Sequence, residues 1–280
     1  MHEFIPWSKQ VLNNNIAAQK AHKMPVLDLE LTAQCTGACC IYCDSKPSVG
    51  RCAHAHEINW GELNNIITQA HKLGLKWIYT CGLGEPMEDP KFWEMLDFIK
   101  RNDINLSMFT NGVFIKDKYV AKCLKESNVH IILKLDTFDS KQFDKILGVS
   151  GTAEKIYAAN EYLLSVGYGA QENNTTNLAY SIVPTHFSIE GIPSVINFAE
   201  KNGVFASIGE LENAGNVYRK DIKQILDVSP EQLTNLKILA DKYAGGSYKR
   251  PICSAIFTGI HIDNLGKCVV DRQSGLNCKW

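Results

Sequence analysis

The chain has 280 residues, 45% of them hydrophobic, and its 29 basic side chains nearly balance its 30 acidic ones. A chain of this length and composition can bury a full core, which argues against disorder. The balanced charge creates no field that favours nucleic acid or an anionic membrane surface. Since no run of about 18 apolar residues and no apolar leader occurs, we expect no membrane span and a cytoplasmic location.

The first predicted strand covers residues 26–31, where apolar and acidic residues alternate. The leucines of this segment share one face, and the acidic residues share the other. A helix is predicted at 60–73, because Asn59 and Glu62 form a capping box and Gly74 provides a stop. One strand followed by one helix is the unit from which α/β folds are built.

The same strand and helix alternation recurs from residue 77 to residue 243. The further predicted strands are 77–80, 106–110, 131–136, 178–183 and 204–208, and the clearest helical patterns are 90–101, 193–202 and 230–243. Repeated units of this kind predict a parallel sheet with right-handed crossovers. Six strands are too few for an eight-stranded barrel. We therefore expect an α/β fold, either a partial barrel or a doubly wound sheet, with its reactive face at the carboxyl ends of the strands.

Ten cysteines are present, and a reducing cytoplasm argues against a disulfide framework. Two groups stand out, one directly after the first strand and one near the C-terminus: Cys35, Cys39, Cys40 and Cys43, and then Cys253, Cys268 and Cys278. Three thiolates on one loop can hold three irons of a four-iron, four-sulfur cluster and leave the fourth iron open to another ligand. The alternative is a zinc site, for which only His54 and His56 lie nearby.

The first group resembles the signature of the radical S-adenosylmethionine superfamily, C-x3-C-x2-C with an aromatic residue before the last cysteine. Tyr42 occupies the aromatic position. Counting back from Cys43 gives Cys40 and then Cys35, with one residue inserted in the first spacing. The competing assignment uses Cys39 in place of Cys40. We favour Cys35, Cys40 and Cys43 as ligands and expect Cys39 to be a packed thiol.

A second resemblance lies after the second predicted strand, where residues 81–86 read Cys-Gly-Leu-Gly-Glu-Pro. This segment is similar to the Gly-Gly-Glu-Pro loop of the family, in which backbone groups receive the methionine amine of the cofactor. Glycine lets a backbone come close to a ligand, so a side chain at Gly84 should block the amine. An ordinary turn before a helix is the alternative. The resemblance implies cofactor contacts from Gly82, Gly84, Glu85 and Pro86.

Two later strand ends extend the resemblance. The Thr-Asn-Gly turn that begins at Thr110 and Asn111 resembles a turn that lines the cofactor pocket, although alone it is an ordinary turn. Residues 133–148 resemble the corresponding part of the GTP cyclase that begins molybdenum-cofactor biosynthesis. Lys134 and Asp136 share a strand face there, and the resemblance implies cofactor contact. The alternative for Lys134 is a structural ion pair with Asp136.

The tail resembles the short "twitch" or the start of a SPASM extension, which holds an auxiliary iron–sulfur cluster. It divides the chain into a barrel domain at 1–248 and an extension at 249–280. The resemblance implies Cys253, Cys268 and Cys278 as ligands, and three cysteines are one fewer than a closed four-iron cluster needs. A cysteine-bearing hairpin without metal is the alternative.

The resemblance implies reductive cleavage of S-adenosylmethionine and a 5'-deoxyadenosyl radical that removes hydrogen from a substrate. Peptide or natural-product modification is the favoured function, and conversion of a small metabolite is the alternative. A flavodoxin- or ferredoxin-type protein is the implied electron donor. A non-enzymatic iron–sulfur or zinc module is the third possibility. The Gly-x-Gly-Glu-Pro segment argues against it, because such a module needs no loop that binds the amine of a cofactor. Four acidic positions on or beyond strands are candidates to face the cavity: Asp28, Glu30, Glu210 and Glu212.

Overall fold

The computed structural model describes residues 2–35, 37–43, 57–80, 82, 84–209, 220–243, 261–262 and 268–269. Its strands are β1 (Glu3–Phe4), β2 (Val26–Leu29), β3 (Trp77–Thr80), β4 (Asn105–Thr110), β5 (Val129–Lys134), β6 (Thr175–Thr176), β7 (Leu178–Ile182), β8 (Phe205–Ile208), β9 (His261–Ile262) and β10 (Cys268–Val269). Its α-helices are α1 (Lys9–Lys20), α2 (Trp60–Lys72), α3 (Lys91–Arg101), α4 (Lys118–Glu126), α5 (Ser140–Leu147), α6 (Thr152–Ser165), α7 (Ile192–Lys201), α8 (Lys220–Leu226) and α9 (Pro230–Tyr243).

One sheet organises the molecule, with the strand order β10-β9-β2-β3-β4-β5-β7-β8. Its neighbouring strands from β9 to β8 are parallel, and β10 is antiparallel to β9. The six predicted strands correspond to β2, β3, β4, β5, β7 and β8, so the predicted α/β parallel architecture is confirmed. The capping box that starts α2 is also present, with Asn59 and Glu62 bonded reciprocally.

The two faces of the sheet are covered by different parts of the chain. Alternate residues of β2, β3, β4 and β5 pack against the helices, among them Leu29, Ile78, Met108 and Leu133, which are all buried in the main core. The other face receives the N-terminal segment, where Phe4 forms a second buried cluster. This division follows from the two-residue period of a strand, which sends successive side chains to opposite faces.

The face that receives the N-terminal segment is concave. Tyr79 on β3 donates a hydrogen bond from its hydroxyl to the carbonyl oxygen of Pro6 at 2.8 Å. Trp7 lies edge-on to Phe205 of β8, with 5.8 Å between ring centroids. Along a flat sheet, β3 and β8 would stand about 19 Å apart, at about 4.8 Å for each strand spacing. Neighbouring residues can reach both strands because the sheet curves around the segment, as in a partial barrel.

The described part of the tail belongs to this sheet. His261 and Ile262 of β9 align with Asp28 and Leu29 of β2, and Cys268 of β10 aligns with Ile262. Cys253 and Cys278 lie outside the described residues, as does the predicted boundary at residue 248. No helix within the described segments is both long and apolar enough to cross a membrane.

Candidate functional site

The cysteine loop, defined here as residues 32–43, follows β2 and lies against the end of α5. The backbone N–H of Cys39 donates to the carbonyl of Leu147 at 2.7 Å, and that of Ile41 donates to Ile146 at 2.9 Å. Gly148 follows with a φ of 70°, and a Cβ built there would lie 2.4 Å from the Cys39 carbonyl oxygen. Glycine is therefore required at this helix end both for its left-handed backbone and for the close approach of the loop.

The start of the cysteine loop is held by one acidic side chain and by one backbone hydrogen bond. Glu57 accepts hydrogen bonds from the Thr32 hydroxyl at 2.9 Å and from the Ala33 backbone N–H at 2.8 Å. On the other side, the backbone carbonyl oxygen of Gln34 accepts from the backbone N–H of Glu85 at 2.8 Å. The loop that carries the first cysteine is thus bonded directly to the Gly-x-Gly-Glu-Pro segment after β3.

Glu85 joins this segment to the turn after β4. Its fully buried carboxylate accepts from the Thr110 hydroxyl at 2.7 Å, from the Asn111 N–H at 2.8 Å and from the Met87 N–H at 3.4 Å. Burial raises the pKa of Glu85 to about 7, while the donors from Asn111, Thr110 and Met87 lower it. The side chain of Glu85 is therefore engaged within the protein, and its role is to align two loops.

Both described glycines of the segment are in close contact with the end of β2 and the cysteine loop. A Cβ at Gly84 would lie 2.4 Å from the Thr32 carbonyl oxygen and 2.5 Å from that of Gln34, and a Cβ at Gly82 would lie 2.5 Å from the side chain of Glu30. The sequence assigns these glycines to the approach of a ligand. The structure adds a second reason, the approach of the chain to itself. Pro86, which is buried, begins a short 3₁₀ helix, Pro86–Glu88.

The predicted residues of the Thr-Asn-Gly turn come together with the first cysteine. Thr110 accepts from the Gly112 N–H at 2.9 Å, and the Asn111 side-chain oxygen accepts from the Val113 N–H at 2.9 Å. The Asn111 amide nitrogen lies 3.8 Å from the Sγ of Cys35, within hydrogen-bonding range for sulfur. The two side chains fix the turn, and Asn111 also contacts the cysteine loop.

Tyr42 connects the other end of the cysteine loop to β5. Its hydroxyl donates to Asp136 at 3.0 Å, and Lys134 bonds the same carboxylate oxygen at 2.8 Å. The Lys134 ammonium also stands 4.4 Å from the centre of the Tyr42 ring. Burial raises the pKa of Asp136, and the nearby Lys134 charge opposes this effect. The ion pair weighed as an alternative for Lys134 is thus present.

The geometry bears on the choice between Cys39 and Cys40. The Cys43 N–H donates to the Cys40 carbonyl at 3.0 Å, so these two residues flank one tight turn. Cys40 also packs against the main core, whereas Cys39 was the residue predicted to be packed. All four cysteines of the loop are thiols of intermediate exposure. Among the described residues, no three His, Cys, Asp or Glu side chains already form a group that could hold a metal.

The structure also shows a row of polar side chains at the carboxyl-terminal edge of the concave face, which the sequence analysis did not predict. Lys134, Ser181 and Ser207 are aligned on β5, β7 and β8, near the carboxyl ends of these strands. Both serines are partly exposed. These polar residues alternate with apolar residues in each predicted strand, and this pattern could have predicted that they face away from the helices. Of the four acidic residues predicted as candidates to face the cavity, Asp28 on β2 and Glu30 just after it are both buried. Glu210 and Glu212 lie outside the described residues.

Comparisons with known proteins are consistent with this arrangement. Mycofactocin maturase MftC of Mycolicibacterium smegmatis is 25% identical over 189 residues, which cover 68% of this chain and 45% of that protein. A probable GTP 3',8-cyclase of Methanococcus maripaludis is 26% identical over 185 residues, covering 65% and 57%. The chain thus spans about half the length of these curated relatives.

Solved structures show the same fold. Streptococcus suis SuiB bound to S-adenosylmethionine superposes with a TM-score of 0.66 at 19% identity, covering 97% of this chain and 66% of SuiB. SuiB bound to its precursor peptide SuiA gives a TM-score of 0.62, also at 19% identity, covering 94% and 63%. The model of the Radical SAM superfamily matches residues 29–182, more than half of the chain and the part that contains the cysteine loop and β3 to β7. The chain therefore belongs to the Radical SAM superfamily.

Proposed function

We propose that this enzyme splits S-adenosylmethionine at an iron–sulfur cluster and uses the resulting radical to modify a peptide. One observation carries the proposal. The cysteine loop, the Gly-x-Gly-Glu-Pro segment and the Thr-Asn-Gly turn are bonded to one another at the carboxyl ends of β2, β3 and β4, through Gln34, Glu85 and Asn111. An ordinary set of turns has no need for such interlocking, whereas a shared cofactor site does.

The donor set fits a four-iron, four-sulfur cluster with one open iron. Cys35, Cys40 and Cys43 would supply three thiolates, with Cys39 as the competing ligand, and soft thiolates favour iron–sulfur clusters. When bound, the cluster and S-adenosylmethionine supply the electron transfer and carbon–sulfur cleavage that yield a 5'-deoxyadenosyl radical. The protein holds the loop at the C-terminal end of α5. A flavodoxin- or ferredoxin-type protein would provide the electron.

The rest of the cofactor would extend over the strand ends. Backbone groups of residues 82–86 would receive the methionine amine, since the Glu85 side chain is engaged by Thr110 and Asn111. Lys134 lies beside the loop and aligned with Ser181, which makes this row suited to polar groups of the cofactor or substrate. Asp136 would act on the cofactor indirectly, by orienting Lys134 and Tyr42.

A peptide is the favoured substrate, in reactions such as cross-linking, dehydrogenation or epimerisation. The support is similarity to a mycofactocin maturase and, at the level of fold, to a SuiB structure that holds its precursor peptide. Similarity to probable GTP 3',8-cyclases favours a second candidate, conversion of a small metabolite. The expected location remains the cytoplasm.

The tail from residue 249 onward is proposed to be an extension of the barrel that carries an auxiliary cluster on Cys253, Cys268 and Cys278. The clustering of three cysteines in a short segment supports this idea. The strand pair β9–β10 brings Cys268 to the β2 edge of the sheet. A twitch- or SPASM-like extension would use this edge to place a second cluster beside the barrel.

The test is anaerobic reconstitution with iron and sulfide, followed by reduction with dithionite in the presence of S-adenosylmethionine. We expect bound iron and sulfide, broad visible absorbance, and release of 5'-deoxyadenosine. Stoichiometric zinc without cleavage would contradict the proposal. Cys39→Ala and Cys40→Ala form a matched pair of variants. If Cys40 is the ligand, Cys40→Ala should lose cleavage of S-adenosylmethionine and Cys39→Ala should keep it.

Substrate class needs a second arm of the same experiment. The short peptide encoded beside the gene, if one is present, and GTP are each added to the reconstituted enzyme. Loss of mass equal to one hydrogen molecule, or incorporation of solvent deuterium without that loss, would identify peptide modification. Conversion of GTP with no change in the peptide would support the metabolite candidate instead.

A further inference from the structure

The side chain of Asn111 is oriented by its surroundings. Asparagine has one accepting oxygen and one donating nitrogen, and the two ends can be exchanged by a flip of the amide. Here the Val113 backbone N–H lies 2.9 Å from one end of the Asn111 amide. A backbone N–H needs an acceptor, so that end is the oxygen. The other end, which faces Cys35, is therefore the donating NH₂ group.

Asn111 has little freedom to move away from the sulfur. It is 7% exposed, and its backbone N–H donates to Glu85 at 2.8 Å. Its side chain is thus fixed at one end by Val113 and through its own backbone by Glu85. The amide nitrogen rests 3.8 Å from Cys35 Sγ. Both ligand assignments considered for the cysteine loop include Cys35.

We propose that Asn111 is a positioning residue that donates a hydrogen bond to the Cys35 thiolate and raises the reduction potential of the bound cluster. The inference rests on the proposed function, because it needs a cluster on Cys35. Reduction adds one electron, from dithionite in the assay, and increases negative charge on the cluster sulfurs. A donor aimed at a ligand sulfur stabilises the reduced state more than the oxidised one, and such donors tune cluster potentials.

The test is an electron paramagnetic resonance titration of the reconstituted protein with dithionite, without S-adenosylmethionine. Asn111→Ala removes the donor without adding charge. Asn111→Asp keeps an oxygen that can accept from Val113 but places a second oxygen, rather than NH₂, toward the sulfur. Both variants should have more negative midpoint potentials than wild type, and the shift should be larger for Asn111→Asp.

Thr110→Val is the control for disturbance of the turn. It removes the hydroxyl that bonds Glu85 and Gly112 but leaves the Asn111 amide in place. Its midpoint should match wild type. A shift as large as that of Asn111→Ala would overturn the proposal, since the turn rather than the hydrogen bond would then set the potential.

Iron analysis distinguishes a failure of the proposed function from a failure of the inference about Asn111. Wild-type protein without a cluster would refute the proposed function itself. A cluster in wild type with an unchanged midpoint in both Asn111 variants would refute only the inference about Asn111. Loss of iron from both variants would also overturn it, because Asn111 would then retain the cluster and not tune it.

Discussion

Gly84→Ala tests the contact between the two loops with the smallest possible side chain. The added Cβ would meet the carbonyl oxygens of Thr32 and Gln34 at 2.4 and 2.5 Å, although such contacts hardly occur below 3.0 Å. The loops must separate by more than half an ångström. Overpacking of this kind costs about 1–3 kcal/mol. Loss of the Glu85 N–H bond to Gln34 would add about 1 kcal/mol.

These costs predict a fall in Tm of about 4–16 °C, at roughly 2–4 °C per kcal/mol for a chain of this size. Because Gln34 precedes Cys35, we also expect less bound iron after reconstitution. Circular dichroism melting and iron analysis measure the two effects. Gly61→Ala is the control, since its Cβ would meet only the Asn59 side-chain oxygen at 3.2 Å. Wild-type Tm and iron content in Gly84→Ala would refute the reasoning.

Three further predictions concern separate parts of the molecule. Burial raises the pKa of Glu85 from 4.5 to about 7, so the folded protein binds this proton more tightly than the unfolded chain and loses stability as pH rises through that window. Glu85→Gln should abolish this loss, on the order of 3 kcal/mol, and equal pH dependence of Tm in both proteins would contradict it. Tyr79→Phe should lower Tm by a few degrees because the buried Pro6 carbonyl loses its donor at a cost of about 1 kcal/mol, whereas the exposed Tyr119→Phe should not, and equal Tm values would count against the N-terminal contact. Alanine at all three tail cysteines, Cys253, Cys268 and Cys278, should halve the iron content of the reconstituted protein if the tail holds a cluster. Unchanged iron content would exclude that cluster.

The six main strands could be predicted because each buries one face against helices and so alternates in hydrophobicity. Helix α2 could also be predicted, because Asn59 and Glu62 form a capping box at its start. The sequence analysis did not single out α1, where Asn15 is the buried residue among those described, or the shorter helices α4 and α5. Asp117 and Asp139 do cap α4 and α5, so a local signal existed for both. Two-residue β1 pairs with β6 more than 170 positions away, and no local pattern reports such a pairing.

The candidate site shows the same limit. Its residues were predicted from motifs, and the structure brings most of the described ones together, but the bonds among them are non-local. Glu85 meets Asn111 across 26 positions, and Asn111 meets Cys35 across 76. Gly148 was noted only as the end of a similar stretch, although its contact with Cys39 gives it a role in the loop. Motif spacing identifies such residues without revealing what each side chain bonds.

The anchors of the cysteine loop are mostly backbone bonds, and this has a consequence for the role of metal in stability. Cys39 and Ile41 are tied to α5 by their N–H groups, and Gln34 is tied to Glu85 by its carbonyl. These bonds need no iron, and the core of the barrel is buried without it. We therefore expect removal of iron with a chelator and an oxidant to leave the helical circular dichroism of the barrel intact. The tail, if it needs a cluster to fix its fold, should instead become sensitive to proteolysis when iron is removed. Cooperative loss of helix on chelation would show that metal, rather than these protein contacts, holds the loop and the barrel together.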